Sequence, residues 1–341
     1  MKIDFGARTT VIIVASAIVL IAPLGIPKYL VSLAFITVFY AVLSSAWNLV
    51  GGYAGQLSLG NTVFLGIGAY FPMLFFIWYK TPPLLGMIGG GALSALVAVG
   101  FGLLTIRLRG NFFAMATLGL SEVALLLADN LPNITGGPAG IAILPGNPSE
   151  PLLEQISNLQ FPYPYFGYYY VMLLLLGLSL AGIIFLLRTT HGYYLKAIGN
   201  DETLAESLGI NTTGEKVLAF VVSAVITSFA GSIYIFYIRF ITPDTLFAPT
   251  LALQIVLMPV IGGMGTIIGP IIGAGVFIPI QNFAISYLGP SAGSLDLVVY
   301  AIILIVVVLF APSGLVSLGK LAKYFRANIT IQNGSGDEKN A

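Results

Sequence analysis

The chain has 341 residues, of which 57% are hydrophobic and only 8% charged, with a mean hydropathy of +0.98 and a formal net charge of +1. Soluble domains carry about 25% charged residues, so this composition cannot cover a water-facing surface, and the scattered basic residues form no concentrated face for nucleic acid. The absence of cysteine excludes disulfides, thiolate metal sites and cysteine nucleophiles, and a single histidine, His191, excludes a histidine-based metal cluster or a haem pair.

With no water in the bilayer core, spanning backbone must satisfy itself as helices or as a closed barrel of alternating polar and apolar residues. Long unbroken apolar runs select helices. The first run, Val11 to Ala22 behind Lys2 and Arg8, has the outline of a cleavable signal peptide. It ends in Pro23-Leu-Gly-Ile-Pro27 without a small-x-small cleavage site, which favours a retained first helix. Apolar segments then recur near 9–26, 30–50, 57–79, 84–106, 111–130, 166–187, 217–238, 250–261, 267–288 and 294–311. A crossing takes roughly 20 residues, so 250–261 is too short to span alone and reads as a half-helix or re-entrant piece. The expected fold is all-α: a polytopic integral membrane helix bundle of about 8–10 transmembrane segments with glycine-broken helices.

Cytoplasmic loops carry an excess of Lys and Arg. With the N-terminus inside and alternation through all ten segments, eleven of the fourteen basic residues fall inside, leaving Lys28, Lys80 and Arg239 outside. Lys320, Lys323 and Arg326 then place the C-terminal side with the N-terminus, which requires an even number of crossings, eight or ten. Residues 1–327 read as one transmembrane domain, with a cytoplasmic segment 188–216 and an outside loop 131–165; 328–341 reads as a disordered cytoplasmic tail. The Asn-x-Ser/Thr matches at Asn133, Asn211, Asn328 and Asn333 carry no function in this reading.

Two glycine-rich stretches echo each other: Gly51-Gly-Tyr-Ala-Gly55-Gln-Leu-Ser-Leu-Gly60-Asn61 and Gly262-Gly-Met-Gly265-Thr-Ile-Ile-Gly269-Pro270. Small-xxx-small spacing at Gly51/Gly55, Gly86/Gly90, Gly265/Gly269 and Gly269/Gly273 lets helix backbones approach where lipid supplies no hydrophobic drive between helices. Packing alone would account for the glycines. The functional alternative is that paired breaks mark a translocation path, with Gln56, Ser58, Asn61, Gly262 and Gly263 as candidates. Glu122 is the one ionisable residue well inside a segment, with Asp129 near its outer end; it is either a path residue or a structural carboxylate bonded to a neighbouring helix. Ion-coupled transporters and proton pumps use several such groups, so energy is expected to enter elsewhere. The outside loop, with seven prolines, Thr135-Gly136-Gly137, Glu150 and Glu154, is either a docking surface for an external protein or a cover packed over the bundle.

The most informative polar stretch is 188–210. Asn200 is placed to N-cap a short helix, Asp201 and Glu202 suit its positive first turn, Leu204 and Leu208 form an i,i+4 apolar pair, and Gly209 is placed to stop it. A lone amphipathic turn is unstable in isolation and gains stability by docking its Leu/Ala face on a partner. This stretch resembles the coupling loop of ABC importer permeases, whose short helix docks on a cytoplasmic ATPase. Asn48-Leu-Val-Gly-Gly-Tyr-Ala-Gly-Gln-Leu-Ser-Leu-Gly60, Gly66-Ile-Gly-Ala-Tyr70, Leu108-Arg-Gly-Asn-Phe-Phe-Ala-Met-Ala-Thr-Leu118, Thr135-Gly-Gly-Pro-Ala-Gly-Ile141 and Ala205-Glu-Ser-Leu-Gly-Ile210 are similar, in order, to the LivM-type permeases of branched-chain amino acid importers, over roughly 40–315. Gly199-Asn200 and Gly214-Glu215 depart from that pattern, where relatives more often carry charged or bulkier residues.

The resemblance implies that Glu202, Ala205, Glu206, Leu208 and Gly209 belong to the coupling helix. It also implies a second, LivH-like permease, two ATP-binding cassette subunits that hold ATP and Mg²⁺, and an extracytoplasmic substrate-binding protein, assembled in a bacterial or archaeal cell membrane. No cofactor is expected on this chain: Gly314-Leu-Val-Ser-Leu-Gly319-Lys320-Leu321 has phosphate-loop spacing but Leu where Mg²⁺ coordination wants Ser or Thr, and it follows a membrane helix rather than a strand. The expected function is therefore the permease subunit of an importer for branched-chain amino acids and not an enzyme, since no catalytic cluster can be assembled. Permeases for urea, amides or another small solute in the same family, an ion-coupled amino acid transporter and a channel are the alternatives.

Overall fold

The computed structural model describes residues 27–105, 108, 110–144, 159, 161, 166–288, 305, 309 and 314–316. The segment 9–26, nearly all of 294–311, Arg107, Arg109, Glu150, Glu154, Lys320 and the tail 328–341 lie outside the described residues.

Helix α1 (Lys28–Asn48) runs into a π-helical turn, Leu49–Tyr53. An irregular stretch leads to α2 (Asn61–Tyr79), followed by α3 (Pro83–Thr105) and α4 (Asn111–Asp129). After the one-turn α5 (Pro132–Thr135) come β1 (Ile141–Ala142), α6 (Phe166–Arg188), α7 (Thr190–Asn200) and α8 (Glu202–Ser207). The long α9 (Thr212–Ile238), β2 (Phe240–Ile241), α10 (Pro243–Phe247), α11 (Pro249–Gly262) and α12 (Gly269–Leu288) complete the described chain. Seven stretches among the described residues are long and apolar enough to cross a bilayer, and α12 adds a shorter apolar run, Gly269–Ala284. The molecule is a multi-pass helix bundle.

One expectation is corrected. The segment 250–261 is not an isolated short piece: α10 and α11 together form an apolar stretch of 20 residues, Pro243–Gly262, broken at Ala248 because Pro249 opens α11 without an N–H to donate. The bundle is all-α as expected, and among the described residues it adds one two-residue antiparallel pair, Ile141 opposite Ile241 and Ala142 opposite Phe240, with the Ile143 N–H donating to Arg239 O at 2.7 Å.

At 27 residues, α9 is about 40 Å long, and the bundle is built around it. Its buried face is made of small residues, including Ser223, Ala224, Thr227, Ser228, Gly231 and Ser232. Small side chains let α2 approach at backbone distance, and Ser232 Oγ donates to Gly68 O at 2.7 Å. Helix α1 packs antiparallel to α9, with Phe39 on Tyr234 and Phe35 on Tyr237 at ring-centroid distances of 4.3 and 3.9 Å. Helix α2 runs parallel to α9: Asn61 meets Ser223 while Phe76 meets Phe236.

These directions define two ends. Lys28, Lys80 and Arg239 lie at the end that carries the β-pair, while Arg188, Lys196 and Lys216 lie at the opposite end with α7 and α8. The β-pair end is closed by the Thr135 turn. Thr135 Oγ1 bonds to Ala128 O and, at 2.9 Å, to Leu131 O, and it accepts from the Gly137 N–H at 3.2 Å. The loop residues Thr135 and Gly137 are thus buried in a folded cap on α4, with Gly136 in a left-handed turn between them. Replacing Thr135 with valine leaves Gly137 N–H without its acceptor and is expected to cost about 1–3 kcal/mol. A lowered melting temperature in detergent would register it, and an unchanged one would show that the cap does not need the hydroxyl.

Candidate functional site

The end that carries α7 and α8 gathers most of the candidate residues. Helix α8 begins one residue later than the sequence suggests. Asn200 is the last residue of α7, and Asp201, in extended conformation, caps α8 by accepting from the Leu204 N–H at 3.0 Å. The aspartate carries a charge as well as an acceptor, and two helices abutting at 200/201 leave it the junction position. The helix stops in a Schellman arrangement: Ile210 N–H donates to Ala205 O at 3.1 Å and Gly209 N–H to Glu206 O at 2.9 Å, with Gly209 at φ +82°.

The side chains of α8 divide sharply. Ala205 is buried, whereas Leu204 and Leu208 are 59% and 73% exposed. Tyr193 on the preceding helix α7 is exposed as well. Glu206 is exposed but bonds within its own chain, accepting from Thr212 Oγ1 at 2.9 Å. Glu202 is half-buried: its Oε1 lies 2.6 Å from Lys216 Nζ, and Lys216 is only 1% exposed. Gln56 Nε2 reaches Glu202 Oε2 at 3.5 Å. Sequence reasoning took Lys216 for a loop charge at the membrane edge. It missed that α9 starts at Thr212, capped by Asn211 through the Gly214 N–H, which carries Lys216 into the bundle.

The two glycine stretches meet. Asn48, 2% exposed, donates from Nδ2 to Thr266 O and accepts at Oδ1 from Gly265 N–H, both at 2.9 Å. A Cβ on Gly52 would stand 2.5 Å from Gly265 N, so the chains touch backbone to backbone. Trp47 lies over Gly51 and donates from Nε1 to Ser58 O at 2.6 Å. Gly199 at the end of α7 packs against Tyr53 O and Gly55. The π-helical turn is therefore wedged between the α11–α12 turn and the α7–α8 junction. Asn48 opens the motif that carried the resemblance, but its clamping role and the part of Trp47 were not legible, because a buried asparagine clamp is specified by tertiary pairing rather than by spacing.

Farther along the bundle, Asn61 Nδ2 donates to Ser223 Oγ at 3.2 Å, Thr62 Oγ1 to Ser121 Oγ at 2.9 Å, and the Leu59 N–H to Thr117 Oγ1 at 2.9 Å. Gln56 Oε1 and Asn61 Oδ1 are buried without a hydrogen-bond partner. Gln56, Ser58, Asn61, Gly262 and Gly263 thus flank one joint. Glu122 does not join them: it is half-buried on α4 next to Ser121, with no ion pair or hydrogen bond among the described residues. Gly314, the first glycine of the phosphate-loop-like spacing, is buried against Gly262 and Gly263. No group of three metal-ligating side chains occurs among the described residues.

Residues 29–308 match the family model described as branched-chain amino acid transport system / permease component. The chain is 32% identical over 273 residues to the high-affinity branched-chain amino acid transport system permease protein LivM of Salmonella typhimurium, covering 74% of this chain and 63% of that one. It is 31% identical over 277 residues to the protein of the same name from Escherichia coli, with the same coverage. The autoinducer 2 import system permease protein LsrC of an Enterobacter species is 28% identical over 204 residues, 58% of this chain and 54% of its own length. The matched part thus spans less than two thirds of each of these relatives. No solved structure matches the chain. All three relatives are named as permease components of transport systems, as the multi-pass bundle requires, and none as an enzyme. The chain belongs to the family of branched-chain amino acid transport system permease components, the ABC transporter permeases.

Proposed function

We propose that this chain is one permease subunit of an ATP-driven importer for branched-chain amino acids. It pairs with a second, LivH-like permease, and two ATPase subunits that bind ATP and Mg²⁺ dock on its α7–α8 end. A substrate-binding protein delivers solute at the β-pair end. Both termini face the cytoplasm, in keeping with Arg188, Lys196 and Lys216 at the α7–α8 end and the positive-inside bias. The named relatives that match over the longest stretches are branched-chain amino acid permeases, which favours that solute over the autoinducer of the shorter match.

The observation that carries this reading is the α8 surface. Two exposed leucines, Leu204 in the six-residue helix and Leu208 at its C-cap, sit on an element fixed by an N-cap, a Schellman end and a buried alanine. Exposed leucines on a short rigid helix are the apolar anchor of a helix-in-groove contact. Closure of the ATPases on ATP would push this anchor, and the glycine joint next to it is where the transmembrane helices would rearrange between two states of access. The path residues Gln56, Ser58 and Asn61 lie beyond that joint.

Leu204→Asp and Leu208→Asp test the reading without unpairing Glu202 or Glu206. Each is expected to fold normally, because the sites are exposed, yet to lose co-purification of the ATPase subunits and lower ATP-dependent leucine uptake at least tenfold. Full co-purification and uptake in both variants would overturn the docking assignment.

A further inference from the structure

We propose that the ion pair between half-buried Glu202 and buried Lys216, held against Gln56, is the link through which movement of α8 reaches the glycine joint. The inference rests on the docking reading above and assigns residues to its transmission step. Glu202 opens α8, Lys216 sits in the first turns of α9, and Gln56 follows the π-helical turn, its own N–H donating to Val50 O at 3.0 Å. The pair therefore lies where the proposed docking helix, the central helix and the joint converge.

Its chemistry fits a link better than a brace. A buried ion pair is a poor device for stability: desolvating both charges offsets their attraction, and well-packed apolar residues of the same volume would hold the helices equally well. Separating the two charges while they remain buried is costly, however. Helix α8 cannot then shift without taking Lys216 or the Gln56 segment with it. A second tie, Glu206 to Thr212, joins the last turn of α8 to the start of α9, so α8 moves with α9 as one body. Gln56 is the variable member. Its contact to Glu202 is long at 3.5 Å and its Oε1 is buried without a partner, so its amide is only half satisfied in this conformation. A shift of α8 toward Gln56 would shorten that contact and pull on the segment that ends at Gly60. The close backbone contact between Gly199 and Tyr53 makes the same junction rigid in compression.

The decisive variant is the double replacement Glu202→Gln/Lys216→Met, which leaves no unpaired charge, assembled with its ATPase subunits and second permease in proteoliposomes. Wild type reports ATP hydrolysed per leucine transported. We expect the double variant to assemble and hydrolyse ATP while leucine transported per ATP falls at least tenfold, and Gln56→Leu to lower the same ratio two- to fivefold with both charges intact. A wild-type ratio in the double variant reduces the pair to a brace and overturns the proposal. Loss of ATPase assembly in the double variant also overturns it, because the pair would then serve the docking surface. If the wild-type chain itself recruits no ATPase, the docking reading fails, and this inference falls with it for that separate reason.

Discussion

Replacing Gly68 with valine is expected to prevent accumulation of folded protein. Gly68 faces α9 where the helices touch through their backbones: a Cβ there would run into Ser228 O and stand 2.5 Å from Ser228 Cα. A flexible side chain could swing away; a helix backbone cannot. The helices would have to separate along a seam that also holds Gly231 against Leu65 O and the Ser232–Gly68 hydrogen bond. Overpacking costs about 1–3 kcal/mol where side chains can adjust, and backbone displacement with loss of a buried hydrogen bond adds about 1 kcal/mol or more. Against a total stability of about 5–15 kcal/mol, that is a large fraction. Gly177→Ala is the control, because nothing lies within 4 Å of its would-be Cβ. Detergent-extracted yield and melting temperature should fall sharply for Gly68→Val and stay at wild type for Gly177→Ala; equal behaviour of the two would show that the α2–α9 seam is not close-packed.

Asn48→Leu is expected to loosen the glycine joint rather than the bundle. The leucine matches the asparagine in size but removes the partner of Gly265 N–H and Thr266 O at a half-buried site. At about 0.5–1.5 kcal/mol for each lost hydrogen bond, the local cost is about 1–3 kcal/mol. Hydrogen–deuterium exchange over 262–269 should accelerate while α9 stays protected. Uptake should fall at least tenfold if this joint works the path. Unchanged exchange at Gly265 would show that the Asn48 clamp contributes nothing to holding the two stretches together.

Most of the bundle was legible because a bilayer admits few solutions: apolar runs of span length must be helices. Eight of the ten expected segments have helical counterparts among the described residues, and the resemblance carried by the Asn48–Gly60 and Ala205–Ile210 motifs led to the family that the matches establish. Misreadings cluster where tertiary pairing decides. Pro243 and Pro249 look like loop residues, yet both occupy first-turn positions where proline is tolerated. Gly192 and Gly199 hid α7, whose buried stripe of Gly192, Leu195 and Ile198 is small and short. The β-pair was unreadable because two residues on each side carry no alternation and meet only through the fold. Lys216 was unreadable for a sharper reason: its partner, Glu202, was read as a docking residue, and nothing in the spacing says that a carboxylate beside a helix cap points inward.

The two glycine stretches show what the structure adds. Their similarity was visible in the sequence, but two readings, packing and path, stood side by side. The geometry joins them through Asn48 and places the joint next to the α7–α8 junction, so close packing is how these glycines form the joint.

The most direct test of the account is uptake of labelled leucine by proteoliposomes containing this chain, its partner permease, the ATPase subunits and the binding protein. Accumulation is expected to require ATP on the α7–α8 side and binding protein on the other, and to persist when sodium and proton gradients are collapsed. Uptake driven by an ion gradient without ATP would contradict it.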